Sequence, residues 1–346
     1  MFSTLQLNEN GKRLLTIAVP TYNRARSLKE LLSVLAGQLK DEPRVELLIS
    51  DNASPDETPS VVQDFMAQGL PVRYLRNAEN IGADANFVQC FEQARGKYVW
   101  LFSDDDLILP GALAKILAYC EAAEYDLMWV SSYSFGGVHK PRVVEARNDA
   151  IEISDSKEYA KRVHVFFTFI SGNIINKDRV LAAGPTAFSA LIGTSLAQLG
   201  WTYTALNGFV RGLYIREKLV AVRENNTGGY KLFQVFGPTL ATITKNWLKS
   251  ASVGRIVMNG TVQRFWPLML WRYRRCAKDF AEEAEPQAIL TPIFKGNARY
   301  WAFAYPVIVL PSPLAAVWVF ACQLLNRLDK ATGLFMLTCW SGTNGN

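Results

Sequence analysis

The chain has 346 residues, enough for one large domain with an appendage or for two domains. Hydrophobic residues make up 49% and charged residues 20%, and there is no repeat or low-complexity tract, which excludes disordered, collagenous and solenoid classes. The formal net charge is +6, a modest excess that informs only where it is concentrated. Five cysteines without a C-x-x-C pair, and two histidines, His139 and His164, exclude a zinc ribbon or a disulfide framework and fit a reducing compartment. Residues 1–12 carry no apolar core of a signal peptide.

Short β-branched runs then alternate with segments of helical period. Leu14 to Val19 reads as a strand, Ser27 to Leu39 as a helix, Val45 to Ser50 as a strand and Thr58 to Gln68 as a helix. Val72 to Leu75 is a short strand, Ala83 to Ala94 a helix, Tyr98 to Phe102 a strand, Gly111 to Ala123 a helix and Asp126 to Ser131 a strand. This alternation predicts an α/β fold, an open and mostly parallel sheet with helices on both faces. Further strands are expected at Ile170 to Ile175 and Val210 to Arg223, and helices beyond Tyr230. A nucleotide-binding catalytic domain is expected over 1–230 and a helical region over 231–346.

Ligands on such sheets bind outside the carboxyl ends of the strands, and there the polar residues gather. Pro20-Thr21-Tyr22-Asn23-Arg24 follows the first strand, Asp51-Asn52-Ala53-Ser54 the second, Asn77 to Gly82 the third, and Ser103-Asp104-Asp105-Asp106 the fourth. Three adjacent carboxylates repel unless neutralised, and a hard cation such as Mg2+ or Mn2+ neutralises them while leaving positions for phosphate oxygens. The plainer alternative is an acidic turn that caps the helix after Pro110. Asp51 fits either a nucleotide contact or a turn-initiating Asp. A dinucleotide fold requires G-x-G-x-x-G after the first strand and a P-loop its lysine; neither is present.

From Arg255 to Lys278 basic residues interleave with aromatic and aliphatic ones and no acid intervenes; Tyr300 to Leu325 carries no charge at all. Pro306, Pro311 and Pro313 break that run, and Leu314 to Leu325 alone is too short to cross a bilayer. The pattern predicts in-plane or re-entrant attachment to an anionic membrane surface, the alternative being a buried hairpin or an oligomer interface. Without a nucleic-acid motif, nucleic acid is not an expected partner.

The segments Thr16 to Arg24, Leu48 to Ser54, Asn80-Ile81-Gly82 with Asn86, and Trp100 to Asp106 before Pro110-Gly111, taken in order, resemble a family 2 glycosyltransferase of the GT-A fold. Ile170 to Ile175 adds similarity to the abequosyltransferase-like enzymes of bacterial O-antigen and surface-polysaccharide synthesis. The resemblance implies a nucleotide-sugar site in which Pro20, Thr21, Tyr22 and Arg24 line the nucleotide, Tyr22 lies against the base and Asp51 bonds to it. Gly82 and Asn86 would flank the nucleotide, Asp104 would meet ribose or metal, and Asp105, with Asp106 beside it, would hold the Mn2+ or Mg2+ that bridges the diphosphate. Lys231, beyond the glycine-rich loop Asn225 to Gly229, could close onto the diphosphate or simply end an interdomain turn.

The resemblance breaks at the general base. No carboxylate stands between Arg179 and Arg216, where the family carries it. Asp155, Glu158, Asp178, Glu217, Glu224 and His164 remain candidates, or the leaving diphosphate takes the proton and configuration is retained. For His164 the more expected reading is a partly buried structural histidine. The expected function is metal-dependent transfer of a sugar from a nucleoside-diphosphate sugar to a lipid-linked oligosaccharide or glycolipid, at the cytoplasmic face of the bacterial inner membrane, by a peripheral or monotopic protein. An oligomer stays open. The alternative is an inactive nucleotide-binding scaffold that keeps the fold.

Overall fold

Strands β1 (Leu15–Thr21) and β2 (Val45–Asp51) are buried at every position, as a sheet covered on both faces requires of its central strands. Between them α1 (Ala25–Leu39) puts Leu28, Leu31, Leu32, Leu35 and Leu39 on one buried stripe. There follow α2 (Thr58–Ala67), β3 (Val72–Arg76), α3 (Ala83–Gln93), β4 (Tyr98–Leu101), β5 (Leu107–Ile108), α4 (Ala112–Ala122) and β6 (Leu127–Phe135). Gly82 (φ 86°) and Gly111 (φ 83°) precede α3 and α4 with backbone that a side chain would strain. The rest of the sheet region comprises β7 (Ala150–Ile153), α5 (Ser156–Val163), β8 (Asn173–Asn176), α6 (Lys177–Ala182), α7 (Leu199–Asn207) and β9 (Gly212–Arg223). The computed structural model describes residues 13–139, 149–184, 187–224 and 229–332; residues 1–12, Cys339 and the loop positions Asn225 to Gly228 lie outside them.

The described strands form one nine-stranded sheet in the order β3-β2-β1-β4-β8-β6-β9-β5, with β7 paired to β9. β1 runs parallel to β2 and β4, and β2 to β3; β8 is antiparallel to both β4 and β6, and β9 is parallel to β6. The carboxyl ends of β1, β2, β4, β6 and β9 therefore share one edge. The core beneath them includes Ile17, Trp100, Phe102, Met128 and Ile215.

Two expectations shift, and two short strands are added. Ile170–Gly172 is a 3-10 turn and the strand begins only at Asn173, because Asn173 Nδ2 donates to the carbonyls of Phe166 (2.9 Å) and Phe169 (2.7 Å) and holds the turn closed. β6 continues to Phe135 instead of ending at Ser131, since β9 stays beside it through register shifts near Ser131. β5 and β7 give no usable period, being two and four residues long.

The chain divides into two compact units, residues 1–228 with 242–256, and residues 229–241 with 257–346. Along the helical stretches run α8 (Leu232–Gln234), α9 (Leu240–Trp247), α10 (Ala251–Gly260), α11 (Trp266–Arg275), α12 (Pro286–Phe294), α13 (Tyr305–Val309) and α14 (Ser312–Thr332). π-helical turns at Val235–Thr239, Thr261–Phe265 and Tyr300–Ala304 lie at or just before Pro238, Pro267 and Pro306. A proline lacks the N–H for the regular bond, and the wider turn absorbs the gap. The second unit packs Phe233 on Trp266, Phe236 on Phe265 and Phe294 on Tyr300 around buried Leu290, Val307, Ala315 and Val319. Among the described residues no helix is long and apolar enough to cross a membrane.

Candidate active site

The loops after β1 and β4 meet through direct bonds. Thr21 Oγ1 donates to Asp104 Oδ2 at 2.8 Å, and Arg24 Nη1 bonds Asp105 Oδ2 at 2.8 Å and Asp104 Oδ1 at 3.5 Å. Asp105 Oδ1 accepts from Ser103 Oγ at 2.5 Å. Asp106 turns the other way: its Oδ1 accepts the Arg223 N–H at 3.1 Å and its carboxylate is bonded by Ser171. The Ser171 hydroxyl also accepts the Ser103 N–H at 3.0 Å, so the turn before β8 and the end of β9 both brace the acidic loop.

Asp104, Asp105 and Asp106 are all at most 5% exposed. Burial, reinforced by the neighbouring carboxylates and only partly offset by Arg24 and Thr21, pushes Asp104 up to about 7. Burial likewise pushes Asp106 up to about 7, against the bonds from Ser171 and Arg223. Burial works against the charge of Arg24, yet the three aspartates raise it above its ordinary value. Burial thus disfavours the charged forms of Asp104 and Asp106, which a cation bound beside them would favour. Among the described residues no three His, Cys, Asp or Glu side chains converge as a ready-made cage; the aspartates diverge onto different partners.

The loops after β2 and β3 form the next wall. Asp51 is fully buried: Oδ1 accepts the Ser54 N–H at 2.8 Å, and Oδ2 accepts Tyr74 Oη at 2.5 Å with Arg76 Nε at 3.5 Å. Asn52 bonds Asn77 and Asn80 and accepts the Ile81 N–H at 3.0 Å, while Gly82 presents its carbonyl to Asn52 Nδ2 at 3.3 Å. Asn86 is buried and exchanges bonds with Ser50, from Ser50 Oγ at 2.6 Å and to the Ser50 carbonyl at 3.0 Å, tying α3 to β2. Pro20 lies within the buried run of β1, which ends at Thr21, and Tyr22, 43% exposed, stands clear of it.

The proposed bases fall in different places. Asp155 caps α5 by accepting the N–H groups of Lys157 and Glu158, and Glu158 pairs with Lys161 and Arg162 on the same helix. Asp178 lies in the first turn of α6, after β8, and so at the opposite sheet edge. Glu217 is clamped by Lys115 Nζ at 2.6 Å to both oxygens. His164 is buried at the end of α5 with φ 42°, its ring 5.2 Å from that of Phe166. Glu224 is exposed and directly follows Arg223, whose N–H reaches Asp106. Lys231 precedes α8 in the second unit.

Sequence reasoning missed Ser171, Arg223 and Asp84 as parts of the site. Asp84, in the first turn of α3, accepts the Ser195 N–H at 2.8 Å and the Ala197 N–H at 3.4 Å and so holds the segment before α7, within the stretch from Arg179 to Arg216 that has no carboxylate of its own. Only Ser171 carried a signal, its place in Ile170 to Ile175.

Residues 16–181 match the family model described as glycosyl transferase family 2. Among curated proteins the chain is similar to abequosyltransferase RfbV of Salmonella typhimurium, 36% identical over 32% of this chain and 33% of the relative. It is also similar to the GalNAc(5)-diNAcBac-PP-undecaprenol beta-1,3-glucosyltransferase of Campylobacter jejuni, 33% identical over 30% of this chain and 33% of the relative. The chain thus spans about a third of the length of these relatives. Among solved structures it is similar to S. aureus TarS 1-349 in complex with UDP, with TM-score 0.59 and 16% identity over 93% of this chain and 92% of that one. A mannosyltransferase from Pyrobaculum calidifontis in complex with GDP-Man and Mn2+ gives TM-score 0.51 and 15% identity over 92% and 88%. Residues 16–181 of this chain are a glycosyltransferase family 2 domain, carried on the GT-A fold.

Proposed function

We propose that the chain is a metal-dependent glycosyltransferase that moves a sugar from a nucleoside-diphosphate sugar to a lipid-linked oligosaccharide or glycolipid in bacterial O-antigen or surface-polysaccharide assembly. It works at the cytoplasmic face of the inner membrane as a peripheral or monotopic protein. The observation that carries the reading is the meeting of Thr21, Arg24 and three adjacent buried aspartates at the carboxyl edge of the sheet. One relative supports the acceptor class by its undecaprenol-linked name, and the neighbours support the donor class through UDP and GDP-Man.

The residues suit a divalent cation. Carboxylates are the hard donors Mg2+ and Mn2+ prefer, and one or two of them with phosphate oxygens complete such a site without a full protein cage. Asp105 and Asp104 would hold the ion, since their oxygens already share the Arg24 guanidinium. When bound, it supplies Lewis-acid stabilisation of the charge that develops on the leaving diphosphate. The chain does the rest. Tyr22 offers its exposed ring to the base, Asp106 is held by Ser171 and Arg223 so that the acidic loop keeps its course, and Asp84 anchors the segment before α7. Of the candidate bases, Glu224 is the carboxylate at this edge not committed to a helix cap or an ion pair in the geometry above; it takes the proton from the acceptor hydroxyl.

Titration of UDP, GDP, CDP and TDP with and without Mn2+, on wild type and Asp105→Ala, tests the reading. Metal-dependent binding of one nucleotide, lost in the variant, supports it; no binding under any condition refutes it. The absence of a carboxylate between Arg179 and Arg216 favours a second reading, an inactive nucleotide-binding scaffold. Nucleotide binding without transfer or donor hydrolysis would select that one.

A further inference from the structure

Helix α14 is apolar on two opposite sides. Ala315, Val319 and Cys322 are buried in the second unit, whereas Leu314, Val317, Phe320, Leu324 and Leu328 lie 41–67% exposed along the other side. A helix that merely covers a core shows water a polar face; here no charge occurs from Tyr300 through Asn326, and Asn326 is turned inward to Gln263. Val309 and Trp301, in the segments just before α14, are exposed as well. Basic groups adjoin it. Arg274 Nη1 donates to the carbonyls of Val307 (2.6 Å) and Leu310 (2.8 Å), and Nη2 reaches Ser312 Oγ at 3.4 Å. These bonds bring the last turn of α11, with exposed Arg272, Arg274 and Arg275, to the start of α14.

We propose that this face of the second unit is a membrane-docking surface, with α14 lying in the plane of an anionic bilayer, its exposed stripe at the headgroup–acyl boundary and the α11 arginines on lipid phosphates. An uncharged stripe beside a cluster of arginines complements an anionic lipid surface, where apolar burial and electrostatic attraction add. The break at Leu310 and Pro311 favours an in-plane course. Exposed Trp301 and Trp318 suit the interface, where an indole keeps one side apolar and one wet. The inference deepens the lipid-linked acceptor reading and rests on it for its purpose alone, because the surface is argued from the second unit.

The test is sedimentation of the full chain with vesicles of phosphatidylcholine alone and of phosphatidylcholine with phosphatidylglycerol, at low and high salt. Wild type should pellet with the anionic vesicles and lose much of that binding at high salt. Arg272→Gln and Arg275→Gln should each weaken it about fivefold, the contribution of one basic residue near an anionic surface. Val317→Glu with Leu324→Glu should abolish pelleting; because both positions are exposed, the fold should survive, as circular dichroism would check, and Leu324→Gln gives a milder second variant. Equal binding by wild type and the glutamate variant overturns the proposal. So does a wild type that ignores vesicles but is a dimer by light scattering that the same variant splits, for then the stripe meets a second copy. Nucleotide titration on the same preparations reports the transferase reading separately.

Discussion

Ser171→Ala removes one hydroxyl that serves two elements of the acidic loop. In the wild type it accepts the Ser103 N–H at 3.0 Å and bonds the Asp106 carboxylate, and the residue is fully buried, so water cannot replace either bond. A net hydrogen bond to a charged group is worth about 1.5–3 kcal/mol and one to a neutral group about 0.5–1.5 kcal/mol. Their joint loss is expected to cost about 2–4 kcal/mol, with little cavity term because only one oxygen is removed. The Ser171 bond also holds Asp106 down against burial, so its carboxyl should move further above about 7 and lose charge at neutral pH. Urea unfolding of wild type and variant, followed by a probe in the first unit, measures the stability; nucleotide titration with Mn2+ should show weaker binding. A change under about 0.5 kcal/mol with unaltered nucleotide affinity would show that the turn before β8 does not brace the loop.

Four further outcomes are expected. Asp104 and Asp106, folded values about 7, bind more protons folded than unfolded between roughly pH 4 and 7, so their contribution makes the ligand-free protein lose stability as pH rises through that window; melting at pH 5.5 and 8 should show Mn2+ stabilising more at pH 8, and equal stabilisation would count against Asp104 as one of its ligands. Arg24→Gln leaves Asp104 and Asp105 without their guanidinium; since the Arg24 side chain is 37% exposed, the expected loss is only about 1–2 kcal/mol, while Mn2+ affinity without nucleotide should rise, readable by calorimetry. Gly172→Ala would put its Cβ 2.6 Å from the Phe169 and Trp129 rings and should cost about 1–3 kcal/mol in the same unfolding assay, or nothing if those rings step aside. Glu224→Gln should lower kcat without changing donor affinity, whereas Glu217→Gln should lower stability through the Lys115 pair and spare kcat; the reverse pattern would move the base to β9's middle.

Much of the first unit was legible because its physics is local. The stripe of α1 and the mostly apolar runs of β1 and β2 are local signals, and the polar loops after them must fall at one edge once the strands run parallel. The placement of Thr21, Arg24 and the three aspartates follows from that edge. What sequence could not say is which group each carboxylate faces. Asp106 bonds Arg223, 117 positions away, and Asp84 reaches Ser195 across 111, pairings that no spacing rule contains.

The sequence by itself determined the alternation of strands and helices, the acidic triplet at a strand end and the charge-free run from Tyr300 to Leu325, because periodicity, turn chemistry and charge are properties of neighbouring residues. Only the tertiary structure decided that the strand expected from Ile170 is a turn bracing the acidic loop, that Glu224 shares an edge with Asp106 while Asp155 and Asp178 do not, and that α14 keeps an apolar side exposed. Each of these depends on which distant segment fills the space beside a side chain, and that is settled by packing of the whole sheet and helix set rather than by any local preference.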